Sequence, residues 1–224
     1  TITAVDPFAN VPGHTGDNVT VGTGTPDATT VGCDTAPDVA ACLRAIPGPM
    51  LTKALPGTIS VSGLDKGTKY GPNVDGWVLP SAPMELLKAG KQHHVPLLIG
   101  SNAAETSRSV PAIPSEMAYV NAVHMVFGQA LGDQVLAVYP AASYATPRAA
   151  MVALTTDARF ICPTRQVARA VASTQTERVY RYLFTHALDN NPALRPFGAW
   201  HGLELLWVFG HLEVAGYVPS PAEK

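Results

Sequence analysis

Two apolar runs along the chain predict β-strands. The first covers residues 95–99, with Pro96 near its start and Gly100 at its end. A short continuous apolar run of this kind is typical of a strand that is buried on both faces. The second covers residues 179–184 and is rich in β-branched and aromatic side chains, which favour strands.

The chain between these runs carries apolar side chains at the i, i+3, i+4 spacing of one helix face. The predicted helices cover residues 114–127, 129–138, 147–155 and 160–173. Shorter helices are expected earlier, over residues 37–45 and 84–89, and Gly90 suits the C′ position of the second. A strand, a long helical excursion and another strand indicate an α/β architecture with a parallel sheet.

Composition and charge narrow the possible classes of protein. With 46% hydrophobic and 14% charged residues among 224, the chain can build a substantial core, in one large domain or two small ones. A net charge of −2 and a pI near 6.3 give no electrostatic reason to expect nucleic acid or an anionic membrane as a partner. No run approaches the ~20 apolar residues of a membrane span. Residues 1–31 are rich in Gly, Thr, Pro and Asp, and they predict loop.

An acid and a histidine occur in sequence positions that suggest chemistry. Glu105 follows the first predicted strand, and His201 lies between Gly198 and Gly202, where the backbone can turn tightly. A hydrogen-bonded structural histidine and a solvated loop acid are the ordinary interpretations of such residues. Acid first and histidine second, each after a strand, is also the second half of the Ser…Asp/Glu…His order of α/β-hydrolases. The Gly-x-Ser-x-Gly of the first half does not occur in the 224 residues.

Asp157 and the remaining histidines are the other polar residues that could take part in chemistry. Asp157 is the next acid that could orient His201, but its context favours a helix N-cap, with the carboxylate accepting from backbone N–H groups. The histidines do not cluster at metal-ligand spacing, since His93 and His94 form a pair without an i+4 partner.

Four stretches of sequence occur together in a characteristic order. They cover residues 32–44, 72–105, 157–163 and 198–210. In this order they resemble the type-B carboxylesterase/lipase family, which includes the cholinesterases. The acid of that family usually lies in Asp-Glu-Gly, whereas this chain has Ala104-Glu105-Thr106.

The resemblance implies a partial α/β-hydrolase fold, with residues 32–224 forming part of a single domain and residues 1–31 left unplaced. It implies hydrolysis of a carboxylic ester through an acyl-enzyme, with His201 as the base, Glu105 as the orienting acid and no metal or organic cofactor. The nucleophilic serine is expected on polypeptide outside these residues. The expected partners are therefore a small-molecule ester and the remaining N- and C-terminal parts of the hydrolase.

Three further side chains near His201 are candidate site residues. Glu204 corresponds to an acid that is buried near the catalytic centre of the cholinesterases, so the resemblance implies a supporting role; a structural role at a helix N-terminus is the alternative. Trp200 and Phe197 are candidates for a substrate pocket, although core packing is the commoner role of such aromatic residues.

Two other functions stay open. A non-catalytic binding or adhesion module of the cholinesterase type would have the same fold, but such proteins tend to lose triad residues, whereas both visible positions here suit catalysis. An unrelated secreted binding domain is the weaker alternative, because it would have to fold without the remaining parts of a hydrolase.

The three cysteines bear on the cellular compartment. The spacing of Cys33 and Cys42 alone allows either a disulfide or two buried thiols, and the resemblance implies the disulfide. A disulfide favours a secreted or periplasmic protein, with the cytoplasm as the alternative. Cys162 is left over, and it either pairs with a cysteine further along the hydrolase, as the resemblance implies, or is a buried free thiol.

Overall fold

The computed structural model describes residues 3–4, 19–20, 26–54, 62–64, 74 and 76–223. The chain divides into two compact units. The first is built from Thr1–Ile59 and Asp65–Ala89, and the second from Ser60–Leu64 and Gly90–Lys224. The assignment of residues 32–224 to a single hydrolase domain stays a prediction.

The described part of the first unit consists mainly of short helices. They are α1 (Pro26–Thr30), α2 (Val39–Ala45), α3 (Gly48–Ala54) and α4 (Pro83–Lys88). Asp38 caps α2, because its side chain accepts a hydrogen bond from Ala41 N at 2.9 Å. A disulfide joins Cys33 to Cys42 with an S–S distance of 2.09 Å, which confirms the predicted bridge. Cys33 packs with Ala28 and Val39 in a small buried cluster.

Most of the loop predicted over residues 1–31 lies outside the described residues. The described parts of that range include α1 and two short antiparallel strands, β1 (Thr3–Ala4) and β2 (Val19–Thr20). The loop expectation is therefore wrong where these elements form.

The two strands predicted from the apolar runs pair in parallel in the second unit. They are β3 (Leu97–Asn102) and β4 (Val179–Phe184), with Leu97 opposite Val179 and Asn102 opposite Phe184. β3 starts and ends later than the apolar run predicted, because the ladder continues through the polar residues Ser101 and Asn102. The parallel pairing and the helical excursion between the strands confirm the predicted α/β class.

The expected burial of β3 on both faces is wrong for the described part of the chain. Ser101 Oγ donates a hydrogen bond to Thr164 Oγ1 at 3.1 Å, so the helix that carries Thr164 packs against one face of the sheet. On the opposite face, Leu98 and its cross-strand neighbour Tyr180 are 69% and 51% exposed. Among the described residues, the second face is therefore exposed at Leu98 and Tyr180 and covered only at its carboxyl end, where Asn102 is buried.

The helices of the second unit follow the predicted pattern, with one correction. They are α5 (Glu116–Val138), α6 (Pro147–Thr156), α7 (Cys162–Thr174) and the short α8 (Glu204–Val208). α5 is broken at Gly128, where φ is 73° and ψ is 172°, so it consists of the two predicted helices. The prediction of Asp157 as an N-cap is wrong, because α6 continues without interruption into a π-helical turn, Asp157–Ile161, that leads into α7. Tyr119 and Val123 from α5 pack with Met151 and Leu154 from α6 in the main apolar core.

In the described residues, every helix is either too short or too polar to cross a membrane.

We predict that the three cysteines differ sharply in reactivity. Cys162 is an exposed free thiol, so the alternative of a buried free thiol is wrong, while its pairing with a cysteine further along the hydrolase stays a prediction. In the 224-residue chain, iodoacetamide should modify Cys162 alone before reduction and all three cysteines after reduction. Peptide mass spectrometry measures this, with Cys162 as the internal positive control. Modification of Cys33 or Cys42 without a reductant would rule out the disulfide.

Candidate active site

Main-chain hydrogen bonds join the loop after β3 to the loop that carries the histidine. We call residues 103–110 the acid loop and residues 198–203 the histidine loop. Ala104 N donates to Ala199 O at 3.0 Å, and His201 N donates to Glu105 O at 3.1 Å. Because these contacts use backbone atoms, they hold the two loops in a defined register whatever the neighbouring side chains are.

The side chains of Glu105 and His201 meet at this junction. Glu105 Oε2 lies 2.7 Å from His201 Nδ1, and Glu105 Oε1 accepts a hydrogen bond from Asn102 N at 2.8 Å. The carboxylate side chain is 6% exposed and the imidazole side chain is 53% exposed. The acid is therefore held from two sides, while the imidazole projects from the surface of the unit.

The contact determines which ring nitrogen of His201 is available for chemistry. A carboxylate only accepts hydrogen bonds, so Nδ1 carries the proton in the neutral imidazole and Nε2 is left as the acceptor. Nε2 has no hydrogen-bond partner among the described residues. The arrangement can therefore take a proton at Nε2 and stabilise the resulting imidazolium through Glu105.

Glycines shape the histidine loop as the sequence indicated. Gly198 and Gly202 have φ values of 61° and 81°, in the left-handed region that other residues avoid. The chain turns on both sides of His201, and this places the imidazole at the end of the parallel strand pair.

A cluster of buried hydroxyl groups attaches the acid loop to α6. Thr106 follows Glu105 directly and is fully buried. Its Oγ1 lies 2.7 Å from Thr155 Oγ1 and 3.2 Å from Thr156 Oγ1, and it donates to Val152 O at 3.2 Å. A hydroxyl with several partners in the interior resists movement, because each broken hydrogen bond leaves a buried polar group unsatisfied.

Two more polar contacts hold the acid loop beyond Thr106. Ser107 Oγ donates to Phe197 O at 2.7 Å, which links the acid loop to the chain just before the histidine loop. Arg148 in α6 donates from Nη2 to Ser107 O and, at 3.0 Å, to Val110 O. The position of Glu105 is thus set by contacts on both sides of it.

The π-helical turn Asp157–Ile161 brings an aromatic ring to the imidazole. Phe160 and His201 have ring centroids 5.1 Å apart, with the planes tilted by 51°. Asp157 does not contact His201; it accepts a hydrogen bond from Tyr139 at 2.7 Å. Burial, followed by the hydrogen bond to Asp157, raises the pKa of Tyr139, so the phenol stays protonated at neutral pH and remains a donor. Turns of this kind occur often at functional sites.

Glu204, the predicted supporting acid, is the first residue of α8. Its Oε2 accepts a hydrogen bond from the side-chain amide of Asn102, the last residue of β3. The structure shows no direct bond between Glu204 and His201 among the described residues, so Glu204 is linked to the site through Asn102. Its supporting role stays a prediction.

The two aromatic pocket candidates pack against each other. Trp200 is 9% exposed and meets Phe197 edge-on, with ring centroids 6.4 Å apart. The guanidinium of Arg108 lies 5.4 Å from the centre of the Trp200 ring, within the range of a cation–π contact. Trp200 also belongs to a buried cluster with Leu188 and Leu203. The contacts of Trp200 are those of a packed core residue, and the pocket role of both rings stays a prediction.

Three residues that shape this site are not among those that the sequence predicts. Asn102 and Thr106 lie close to Glu105 on either side of it, and Phe160 contacts His201 from the π-helical turn between α6 and α7. Asn102 could have been found from the sequence, because it is a polar residue at the end of an apolar strand. Phe160 could not, because its contact with His201 depends on the π-helical turn.

The part of the chain that the structure describes contains no group of three or more His, Cys, Asp or Glu side chains that could hold a metal ion.

The chain belongs to the carboxylesterase family, whose profile matches residues 7–224. It is 33% identical over 162 residues to Crystal protein of Dictyostelium discoideum, which covers 68% of this chain and 29% of that protein. It is 29% identical over 185 residues to Fumonisin B1 esterase of Sphingopyxis macrogoltabida, covering 81% of this chain and 33% of that protein. The chain therefore spans about a third of the length of these relatives.

A solved structure has a similar fold. EstA of Aspergillus niger superposes with a TM-score of 0.62 at 22% sequence identity, over 87% of this chain and 38% of that one. At this identity the likeness establishes the fold, and it confirms the expected partial α/β-hydrolase architecture.

We predict that the hydroxyl cluster stabilises the acid loop. Replacing Thr106 by Val keeps the shape of the side chain but removes its hydrogen bonds, so the free energy of unfolding should fall by about 1–3 kcal/mol. Thr176→Val is the matched control, because Thr176 is exposed between α7 and β4 and should change stability by less than about 0.5 kcal/mol. Urea denaturation measures both. Equal effects would show that the cluster does not hold the loop.

Proposed function

We propose that this chain supplies the base and the orienting acid of a serine carboxylic-ester hydrolase. The observation that carries the proposal is the 2.7 Å contact between Glu105 Oε2 and His201 Nδ1, which leaves Nε2 available as a base. Glu105 comes shortly after β3, whereas His201 lies well beyond the end of β4 and is held beside the acid loop by the bond from Ala104 N to Ala199 O. The contact thus lies at the carboxyl ends of the parallel strands, which is where open α/β sheets place ligands. Membership of the carboxylesterase family supports the same chemistry.

The proposed reaction proceeds through an acyl-enzyme. A serine on polypeptide outside these 224 residues attacks the ester carbonyl while its proton passes to His201 Nε2. The ester C–O bond then breaks, and the imidazolium gives the proton to the departing alcohol. In the second half, His201 takes a proton from water, the hydroxide attacks the acyl group, and the proton returns to the serine as the acid leaves.

Glu105 acts on the ring rather than on the substrate. By accepting from Nδ1 it selects the tautomer with Nε2 free, and its negative charge stabilises the imidazolium that forms in each half-reaction. Its low exposure strengthens this electrostatic effect, because little water is present to screen it. The oxyanion donors lie, like the serine, on the remaining polypeptide of the hydrolase.

The second candidate function is a non-catalytic binding or adhesion module with the same fold. The observation that favours it is the resemblance to Crystal protein, whose name states no enzymatic activity. Fumonisin B1 esterase, by its name, acts on an ester, and it supports the enzyme. The maintained acid–histidine contact is the reason to rank the enzyme first.

The disulfide bears on the cellular compartment in which the protein works. Cys33–Cys42 is a covalent bond that persists in oxidising surroundings, so we infer that the protein is secreted or periplasmic rather than cytoplasmic.

We predict that His201→Ala in the complete polypeptide lowers kcat on an aryl ester by about 10⁴- to 10⁶-fold, with little change in KM, because the base acts in the transition state. Glu105→Gln should lower kcat by about 10⁴-fold, since the tautomer is then no longer selected. A fluorophosphonate reagent should label one serine outside residues 1–224.

The chain provides its own control for these substitutions. His211 Nδ1 lies 3.3 Å from Glu213 Oε1, and both side chains are exposed, so this is a histidine–carboxylate pair outside the proposed site. His211→Ala should leave kcat unchanged. Labelling of a serine within the 224 residues would mean that the active site has been misplaced. Full folding with no esterase activity and no labelled serine would favour the binding module.

A further inference from the structure

Asn102 is the residue on which the hydrogen bonds around the proposed site converge. It is the last residue of β3 and is 1% exposed. Its backbone N–H donates to Glu105 Oε1 at 2.8 Å. Its side-chain Nδ2 donates to Trp200 O at 2.7 Å and to Glu204 Oε2. One buried residue therefore contacts the acid, the backbone just before the histidine, and the first residue of α8.

The identities of these partners fix the orientation of the Asn102 amide. Both groups that face Nδ2 are oxygens that only accept, namely the Trp200 carbonyl and the Glu204 carboxylate. Rotating the amide by half a turn would set Oδ1 against both oxygens, so only the observed orientation is satisfied. Oδ1 itself is buried without a partner among the described protein atoms. The contribution of this side chain therefore resides in its two N–H donors.

We propose that Asn102 is a positioning residue of the proposed ester hydrolase, which fixes the distance between Glu105 and His201 by binding both loops at once. This inference rests on the proposed function for its effect on turnover. The backbone bond holds the carboxylate. The two side-chain bonds hold the chain on either side of His201, at Trp200 in the histidine loop and at Glu204 at the start of α8. Glu204 thereby influences His201 through Asn102 rather than by direct contact.

The donors can be removed without changing the shape of the side chain. Asn102→Asp replaces the NH₂ group by an oxygen of nearly the same size, which then faces the Trp200 carbonyl and the Glu204 carboxylate. At neutral pH the substitution exchanges two attractive contacts for two repulsive ones. The histidine loop should shift, and a displacement of about 1 Å in a catalytic group lowers the rate by about 10²-fold.

The hydrogen bond between positions 102 and 204 can also be rebuilt with donor and acceptor exchanged, by side chains of nearly the same size. Glu204→Gln provides an amide that can donate to a carboxylate at position 102, so the Asn102→Asp, Glu204→Gln double variant restores one bond with donor and acceptor exchanged. The bond to Trp200 O is not restored, and recovery should therefore be partial. The coupling of the two substitutions is a readout that general destabilisation would not reproduce.

The test uses the complete polypeptide with an aryl ester as substrate. Asn102→Asp should lower kcat by about 10²-fold at neutral pH with KM little changed. Its kcat relative to the unsubstituted enzyme should rise as the pH is lowered from 8 to 5, because a shared proton between two neighbouring carboxyl groups restores a donor. The double variant should recover about tenfold of the loss at neutral pH.

Asn190→Asp is the matched control. Asn190 Nδ2 also donates to a backbone carbonyl, Val218 O at 2.8 Å, but in an exposed segment after β4. Its substitution should leave kcat and the pH profile unchanged.

Proton NMR separates failure of this inference from failure of the proposed function. The proton between His201 Nδ1 and Glu105 should give a strongly deshielded signal that Asn102→Asp abolishes and the double variant restores, whether or not the protein turns over an ester. An inactive unsubstituted protein with this pattern would remove the esterase proposal and retain the role of Asn102. An active enzyme in which Asn102→Asp leaves the signal, the kcat and the pH profile unchanged would overturn the inference. Loss of folding in Asn102→Asp without recovery in the double variant would also overturn it.

Discussion

The parallel pairing of β3 with β4 is the constraint on which the proposed site depends. Parallel strands end at the same edge of a sheet, so the chain leaving β3 and the chain leaving β4 start from the same edge. Glu105 and His201, which are 96 positions apart, meet near that edge after the chain beyond β4 has turned back toward the acid loop. The main-chain bonds between the acid loop and the histidine loop extend this pairing into the loops. The geometry of the proposed site is in that sense a continuation of the sheet, and the side-chain contacts of Asn102 and Thr106 refine it.

The sequence allowed the main elements, and the two residues that meet at the proposed site, to be predicted, because both depend on local signals. An apolar run ending in glycine predicted β3, an aromatic and β-branched run predicted β4 with its observed bounds, and glycine flanks marked His201. The order of Glu105 and His201 matched a hydrolase pattern, and the short spacing between Cys33 and Cys42 suited a disulfide once the family resemblance was considered.

The remaining features depend on contacts between distant parts of the chain. The side-chain partners of Asn102 lie about a hundred positions away in the sequence, and those of Thr106 about fifty. The local sequence around Asp157 predicts a helix start because acidic residues commonly cap helices, but the backbone there continues from α6 through the π-helical turn. Burial of β3 was overestimated because an apolar run shows that a strand can be covered, not which elements cover it.

The distance along the chain between the two loops also has a consequence for the order in which the molecule forms. Their contacts form only when β4 docks beside β3. The chain therefore loses the conformational entropy of closing this long loop before the contacts between the two loops can stabilise the fold. α5, α6 and α7 contain mainly local contacts and can form early. We therefore expect the junction between the acid loop and the histidine loop to be among the last parts of the second unit to assemble, so that a chain arrested during folding would acquire its helices before the contact between Glu105 and His201.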